Sequence, residues 1–335
     1  MDWLWYSRNP LALLLLPCSW LFRLVAALRR LLYSAGLMKS RYLPVPVIVV
    51  GNISVGGTGK TPLVVWIVEE LRRMGLNPGV ISRGYGGQAE SWPQFVDADA
   101  DPDLVGDEPV LLARRLLCPL AVAPDRPAAG QMLIDDHAVD VLVADDGLQH
   151  YALQRDLEIA VVDGSRGMGN GHCLPAGPLR EPESRLKTVD MVVVNGQGLW
   201  GHGMQMRLGT VTRLADGFNS DIQHWAGQTV HAVAGVGNPA RFFKTLRDQG
   251  LQLIEHAFPD HYEFVELDLD FEDDSLEPIP VVMTEKDAVK CYNFVHGPLR
   301  ERLWYVPVTA EPEPDTARRL QSLLSALPFE KYMDS

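Results

Sequence analysis

Cysteine is scarce in this chain, and the cysteines that occur lie far apart. The 335 residues include Cys18, Cys118, Cys173 and Cys291, and no two of them have the C-x-x-C spacing. Such separated thiols match neither a zinc site nor the dense disulfide framework of a small secreted domain. The cysteine pattern therefore favours a reducing compartment.

Positive charge is also in deficit. Lysine and arginine number 30 against 43 aspartate and glutamate residues, which gives a formal net charge of −13. A general nucleic-acid binder needs a basic surface to displace counterions, so the composition argues against a nucleic-acid partner. The N-terminal segment is the exception, because it carries several arginines and a single acidic residue, Asp2.

The apolar run at the N-terminus is too short to cross a bilayer. Residues 11–22 carry no charge, whereas a spanning helix needs about 20 apolar residues. Positive charge follows the run, at Arg23, Arg29 and Arg30, whereas a cleaved signal peptide carries it before the run. We therefore expect residues 1–36 to form a helix in the membrane interface, with leucines among acyl chains and arginines at lipid phosphates. A helix packed on the protein's own core is the alternative.

A glycine-rich stretch follows a β-branched run and precedes an apolar helical pattern that begins at Leu63. It matches the phosphate-loop pattern G-x-x-x-x-G-K-[ST], except that Ser54 replaces the first glycine. In such loops, backbone N–H groups surround phosphate, the lysine reaches the β- and γ-phosphates, and the hydroxyl ligates Mg²⁺. The sequence thus predicts binding of ATP and Mg²⁺; a glycine-rich hairpin with a chance Gly-Lys-Thr is the alternative. The residues expected at the nucleotide are Ser54, Val55, Gly56, Gly57, Thr58, Gly59, Lys60 and Thr61.

Beyond this loop, short apolar runs alternate with helical patterns. The runs over 78–82, 138–144, 157–162 and 189–194 have the composition of buried parallel strands. Their order predicts an α/β fold with a doubly wound sheet of the phosphate-loop NTPase type, in which ligands bind at the carboxyl ends of the strands.

The composition also divides the chain into domains. After the N-terminal helix, residues 37–196 are expected to form the phosphate-loop domain. Residues 197–227 are rich in glycine and glutamine and predict a linker. Alternating strand and helix patterns over 228–335 predict a second, smaller α/β domain.

Two carboxylates follow the predicted strand over 138–144. Asp145 and Asp146 stand at its tip, where a carboxylate beside a phosphate loop holds Mg²⁺ directly or through water. With Thr61 they are the predicted metal ligands, and the spacing does not tell which aspartate contacts the ion. A turn-forming Asp-Asp-Gly is the alternative.

Two further strings have both a structural and a functional interpretation. Gly106-Asp107-Glu108-Pro109 has the pattern of a helix start, with Asp107 as the N-cap. Residues 167–182 form a long loop rich in glycine and proline, and long ordered loops at a sheet edge usually bind a ligand. Its Arg180 suits bidentate contact with a phosphate; a plain solvated connection is the alternative.

Taken together, these strings resemble the tetraacyldisaccharide 4′-kinase family, the lipid A 4′-kinases of Gram-negative envelope synthesis. The match extends over most of the chain in the family's order. The matching strings are Gly51-Asn52 with Val55 to Pro62, Ser82 to Gly86, Gly106 to Pro109, Asp145 to His150, Leu174 to Pro182, Phe258 to His261 and Thr284 to Ala288.

The resemblance implies that ATP donates its γ-phosphoryl group to the 4′-hydroxyl of an acylated glucosamine disaccharide 1-phosphate. It also implies a peripheral location on the cytoplasmic face of the bacterial inner membrane. By the same likeness, Asp107 is the general base, with His261 as its partner from the second domain. Lys60 and Asp146 complete the expected catalytic set. Contacts with the acceptor are expected at Arg83, Asn170 and Arg180.

Two other classes of nucleotide-binding protein remain as alternatives. A membrane-attached switch ATPase with a protein partner carries an additional lysine early in its phosphate loop, where this chain has Val55. A GTP-dependent metallochaperone is expected to show a cluster rich in cysteine or histidine, and the sequence contains none. Consumption of ATP that depends on a lipid acceptor distinguishes the kinase from both.

Overall fold

The computed structural model describes residues 2–7, 9–196, 201–271, 278–295 and 297–333, and the fold is α/β with two mixed sheets. The strands are β1 (Val47–Gly51), β2 (Pro78–Ser82), β3 (Gln94–Phe95), β4 (Leu120–Val122), β5 (Val141–Asp145), β6 (Leu157–Asp163), β7 (Met191–Asn195), β8 (His202–Leu208), β9 (Val211–Arg213), β10 (Asn219–Ser220), β11 (Thr229–Ala234), β12 (Gln252–Ala257), β13 (Val281–Thr284), β14 (Leu303–Val306) and β15 (Val308–Pro312). The α-helices are α1 (Asp2–Trp5), α2 (Leu11–Leu14), α3 (Leu16–Ser34), α4 (Lys60–Arg73), α5 (Pro102–Val105), α6 (Asp107–Leu116), α7 (Arg126–His137), α8 (Pro239–Asp248), α9 (Glu285–Ala288), α10 (Pro314–Ser325) and α11 (Glu330–Met333).

The larger sheet has the strand order β15-β8-β7-β6-β1-β5-β2-β4-β3 in the part of the chain that the structure describes. Neighbouring strands are parallel except at the two edges, where β15 and β3 are antiparallel to their neighbours. The central strand β1 is buried along its whole length, as its unbroken apolar sequence predicts. The register pairs Val50 of β1 with both Asp145 and Ile159. The ends of three adjacent strands therefore lie at the same edge of the sheet.

Helices cover both faces of this sheet. On one face, α4, α6 and α10 contribute Leu63, Leu112 and Leu320 to a common apolar core. On the other face, α7 contributes Leu133 to a second core. The apolar positions of the predicted pattern in α4 are all buried, so the helical pattern that begins at Leu63 is confirmed; they are Leu63, Val64, Ile67, Val68 and Leu71.

The smaller sheet has the order β10-β9-β14-β13-β11-β12 among the described residues. Its strands β14, β13, β11 and β12 are parallel to one another. One face packs on α8 through residues such as Phe242 and Leu246, and the other buries Met283 and Leu303. The strands predicted after residue 228 therefore form one sheet of their own.

The structure differs from the predicted domain limits at two places. The segment 197–227, expected to be a linker, contains β8, which extends the larger sheet, and β9 and β10, which begin the smaller one; residues 197–200 lie outside the described residues. The segment 308–325, assigned to the smaller domain, returns to the larger sheet as β15 and α10. Local composition does not report long-range pairing, and for this reason neither departure is visible in the sequence.

The N-terminal segment forms three helices rather than one. Pro10 precedes α2 and Pro17 lies in the first turn of α3, where proline is tolerated. In α3 the buried residue is Ser19, which donates to the Cys173 carbonyl at 2.7 Å. The apolar side chains of this helix face outward; Leu24 is 64% and Leu31 is 61% exposed. Within the described residues, none of the helices has both the length and the apolar character that spanning a membrane requires.

Candidate active site

The predicted phosphate loop connects β1 to α4. Gly59, its last residue, has a φ of 94°, and a Cβ atom there would lie 2.3 Å from Met206 Cε and 2.7 Å from Asn195 Nδ2. Only glycine fits both the backbone angle and the space. Ser54 does not have a positive φ, and it pairs with Leu179 in a β-bridge. The backbone at position 54 therefore does not need the glycine of the general pattern.

Neighbouring segments hold this loop in place. The Val55 N–H donates to the Pro178 carbonyl at 2.9 Å. Val55 was predicted to contact the nucleotide, but its backbone N–H is used in this hydrogen bond inside the protein. The Asn195 side chain donates to the Thr58 carbonyl at 3.0 Å. Gly56 turns the chain with a φ of 101°. These contacts order the loop before α4 begins at Lys60.

Asp146 lies between two cations beside the phosphate loop. Its carboxylate is 3.6 Å from Lys60 Nζ and accepts from Arg180 Nη1 at 3.0 and 2.8 Å. Burial raises the pKa of Asp146, but Lys60 and Arg180 outweigh burial and lower it to about 2. The backbone of Asp146 is left-handed, with a φ of 50°, a conformation that is uncommon outside glycine and concentrates at functional sites. The structure thus brings Lys60, Asp146 and Arg180 together.

Asp145 differs sharply from its neighbour. It is 1% exposed, and its Oδ1 has no hydrogen-bond partner in the described part of the chain. Burial, together with the charge of Glu108, raises the pKa of Asp145 to about 7. Thr61 is the second residue of α4, at the same end of the sheet. A buried carboxylate oxygen without a partner and a nearby hydroxyl fit Mg²⁺, whose shell phosphate oxygens and water complete.

The residues that the family resemblance pairs are in contact. His261 Nδ1 lies 3.2 Å from Asp107 Oδ2, although His261 follows β12 of the smaller sheet and Asp107 begins α6 on the larger one. His261 has a φ of 60°, a strained conformation for a histidine. The N-cap of α6 is Gly106, and Asp107 is the first helical residue. The N-cap interpretation of Asp107 is therefore wrong, because its carboxylate faces His261 rather than the helix amides.

Two lysines in the segment that follows β13 complete this contact, and the sequence alone assigned no role to either. Lys286 Nζ lies 3.2 Å from His261 Nε2 and donates to Glu108 Oε1 at 3.2 Å. Lys290 Nζ lies 3.6 Å from Asp107 Oδ2. Burial raises the pKa of Asp107, but the hydrogen bond from His261 and the two lysine charges lower it below its usual value. Asp107 is consequently a carboxylate at neutral pH.

A second contact joins the sheets on the other side of the phosphate loop. Arg241 of α8 donates to Asp163 at 3.2 Å and to Asn195 Oδ1 at 2.8 Å. Because Asn195 also bonds Thr58, one side chain connects the smaller sheet to the loop. The sequence carried no motif that pointed to Arg241 or Asn195, since each becomes notable only through this pairing across the two sheets.

A group of cationic and imidazole side chains lies next to Asp146. Arg126 donates to the Asp146 carbonyl at 2.7 Å, and its Nε has no partner among the described residues. His150 Nε2 is likewise buried without a partner there. Burial and the charges of Arg126 and Arg155 lower the pKa of His150 to about 4. The predicted acceptor contact Arg83 is exposed and acts electrostatically on both Arg126 and His150.

The loop over 167–182 connects the site to the N-terminal segment. Asn170 donates to the Ala176 carbonyl at 2.8 Å and accepts from the His172 N–H at 3.2 Å, so its side chain orders its own loop. Trp5 Nε1 donates to the Pro175 carbonyl at 2.9 Å. The structure therefore brings Arg180 to the other site residues but uses the Asn170 side chain within the loop.

Comparisons with known proteins agree on one family. The model of the family described as tetraacyldisaccharide-1-P 4′-kinase matches residues 11–325. A tetraacyldisaccharide 4′-kinase of Nitrosococcus oceani is 51% identical over 321 residues, which is 96% of this chain and 93% of that protein. One of Alkalilimnicola ehrlichii is 52% identical over 328 residues, 97% of this chain and 94% of that protein.

A solved structure is similar over nearly the whole chain. It is the crystal structure of LpxK from Aquifex aeolicus in complex with ATP, with a TM-score of 0.76 and 28% identity, over 94% of this chain and 98% of that one. The family model, the close relatives and the shared fold all point the same way. The chain belongs to the tetraacyldisaccharide-1-P 4′-kinase family.

Proposed function

We propose that this protein is an ATP-dependent kinase that phosphorylates the 4′-hydroxyl of a tetraacylated glucosamine disaccharide 1-phosphate, a step of lipid A biosynthesis. One observation carries the proposal beyond family membership. A phosphate-loop lysine, a buried unpartnered carboxylate and a carboxylate paired with imidazole converge at one edge of the sheet. Phosphoryl transfer to an alcohol needs these three parts: a cation for the transferred group, a metal ligand and a proton acceptor.

The nucleotide is held by the phosphate loop and by Lys60. The amides of the loop and the start of α4 supply positive potential at the phosphates, and Lys60 faces the transferred group. We assign Mg²⁺ to Asp145 and Thr61, where the bound ion would neutralise charge on the phosphates. Asp146 is already paired with Lys60 and Arg180, which supports a role in positioning both cations.

Asp107 accepts the proton of the acceptor hydroxyl in this proposal. Its Oδ2 is engaged by His261 and Lys290, and we assign Oδ1 to the hydroxyl. A weakly basic carboxylate suffices, because proton transfer comes late in a loose transition state. The P–O bond of ATP breaks, the acceptor oxygen bonds to phosphorus, and its proton passes to Asp107.

The acceptor is an anionic, acylated lipid, and two features support its binding. The cationic group of Arg83 and Arg126 beside Asp146 suits a sugar phosphate. The exposed leucines of α3 suit acyl chains and the membrane interface, with Arg23, Arg29 and Arg30 near lipid phosphates. We therefore place the protein peripherally on the cytoplasmic face of the inner membrane, where ATP is available.

Phosphorylation of the acceptor tests the proposal directly. The full chain is incubated with ATP, Mg²⁺ and the disaccharide 1-phosphate lipid in mixed micelles, and the lipid is then analysed by mass spectrometry. We expect the acceptor to gain one phosphate and ADP to appear in equal amount. Hydrolysis of ATP with no change in the lipid would overturn the kinase and favour a switch ATPase.

A further inference from the structure

His261 has two ring nitrogens, and each meets a different residue. Nδ1 lies 3.2 Å from Asp107, and Nε2 lies 3.2 Å from Lys286 Nζ. A protonated lysine has only donors, so Nε2 must be the acceptor in the second contact. The single proton of a neutral imidazole then lies on Nδ1 and points to Asp107. The contact with Lys286 therefore fixes the tautomer of His261.

This arrangement removes one of two possible proton acceptors. In a pair of carboxylate and imidazole, either Asp107 or the far nitrogen of His261 could take the proton of a substrate hydroxyl. Lys286 occupies that far nitrogen and is itself held by Glu108 at 3.2 Å and Asp260 at 3.6 Å. Asp107 remains as the acceptor that can reach a substrate.

Lys290 acts on the same carboxylate from the other side. Its Nζ lies 3.6 Å from Asp107 Oδ2 and 3.4 Å from Asp287 Oδ1. It also donates a hydrogen bond to the Tyr262 carbonyl at 2.8 Å. The Lys290 side chain is 8% exposed, so solvent screens its charge little. The lysine therefore offsets the cost of a buried carboxylate at Asp107.

We propose that Lys286 and Lys290 are positioning residues of the phosphoryl transfer, Lys286 by blocking His261 Nε2 and Lys290 by keeping Asp107 ionised. The inference rests on the proposed function, in which Asp107 is the base. It gives a role to the string Thr284 to Ala288 and to Lys290 just after it, because their place at the end of β13 brings both lysines to α6. The charged groups around the pair are Glu108 on α6, Asp260 beside His261, and Asp287 beside Lys290.

The proton on His261 is measured by NMR of full-length protein labelled with ¹⁵N-histidine. The His261 signals are identified by their loss in His261→Gln. We expect Nδ1 with a proton and Nε2 without one in the parent protein, and in Lys286→Met we expect the Nε2 signal to shift toward that of a protonated nitrogen, because the donor that occupies this nitrogen is gone. A proton on Nε2 in the parent protein would overturn the role of Lys286.

The charge effect is measured through the pH dependence of kcat/KM. Lys290→Gln keeps a donor for the Tyr262 carbonyl but removes the charge, and Lys290→Arg keeps the charge. Loss of the cation raises the pKa of Asp107, so we expect the acid limb of Lys290→Gln to move up by about one pH unit and that of Lys290→Arg to stay. The ATP KM should change less than twofold in both variants.

Lys244→Met is the matched control, since Lys244 is an exposed lysine of α8, which packs on the same sheet, and it pairs with Asp248 at 2.6 Å. A Lys290→Gln profile that superimposes on the parent profile would overturn the role of Lys290. Failure of every protein, the parent included, to phosphorylate the lipid would instead count against the proposed function. The NMR measurement would still decide whether Lys286 fixes the tautomer of His261 in that case.

Discussion

At the scale of single residues, Lys60 gives the sharpest test of the nucleotide site. Its side chain is 12% exposed and pairs with Asp146 beside the phosphate loop. Lys60→Ala removes the cation that faces the transferred phosphoryl group, and we expect at least about a hundredfold loss of kcat. The thermal midpoint should stay close to that of the parent protein. Near-parent turnover would mean that the loop does not bind phosphate as proposed.

Asp107 can be tested as a base by an almost isosteric change. Asp107→Asn keeps the size and shape of the side chain, but an amide takes no proton. We expect kcat to fall by about a hundredfold or more with little change in the ATP KM. Rates and thermal midpoints are measured side by side. Full activity would leave Asp107 with a structural role only.

The same pair predicts a non-additive double variant. If Asp107 and His261 act as one unit, Asp107→Asn combined with His261→Gln should be about as slow as the slower single variant. Independent roles would multiply the two losses instead. The parent, both single variants and the double variant are compared under one set of conditions.

Single residues also show what the sequence could not reveal. The spacing of residues 106–109 indicated an N-cap at Asp107, and only the family resemblance suggested a base. The pairing with His261 depends on a contact between residues 154 positions apart, made by two separate sheets. Lys286 lay within a recognised string, yet its contacts with His261 and Glu108 follow from the tertiary fold.

At the scale of elements, α3 makes a prediction about membrane binding. Leu24 and Leu28 are 64% and 52% exposed on the face expected to enter the membrane interface. Leu24→Glu with Leu28→Glu should reduce flotation with anionic liposomes and activity on the long-chain lipid, while ATP binding stays unchanged. Point changes are preferable to truncation, because Trp5 and Ser19 also anchor the loop over 167–182.

The control for this experiment is Leu267→Glu. Leu267 is 81% exposed and lies outside the N-terminal helices. This variant should float like the parent protein. If the α3 variant floats as well as the parent, the interfacial helix is wrong. An equal loss in both variants would indicate a general effect of added negative charge.

The spacing of apolar residues predicted most of the helices and strands. It predicted the residues at which they begin and end less well. The strand predicted over 138–144 is formed over Val141–Asp145. Its start moves because Ala138 ends α7 in a left-handed conformation, with a φ of 46°. Apolar composition does not distinguish such a helix end from the first residue of a strand, since alanine occurs in both.

At the scale of the whole molecule, the return of the C-terminal segment makes a stability prediction. Leu320 of α10 is fully buried in the core that underlies the larger sheet. Leu320→Ala should lower the free energy of unfolding of the unit that contains the larger sheet by about 2–5 kcal/mol. Urea unfolding followed by circular dichroism measures this, with the exposed Arg319→Ala as control. An unchanged unfolding curve would contradict the placement of α10.

The helix α6 contacts the rest of the protein at both of its ends, once near the place where the chain passes between the two sheets and once at His261. The chain passes between the two sheets twice, at Gly209 after β8 and at Pro307 before β15. These two points are neighbours, because the Gly209 N–H donates to the Pro307 carbonyl at 2.8 Å. Arg115, near the C-terminal end of α6, donates to Val308 beside this crossing, while Asp107 at the other end meets His261.

Arg115 lies eight positions after Asp107, which is about 12 Å along the helix axis. A tilt of about 10° at the crossing would displace the far end by about 2 Å, enough to break the contact between Asp107 and His261. A rotation of this size at the crossing would therefore separate the proton acceptor from its histidine partner without any change in the residues of the phosphate loop.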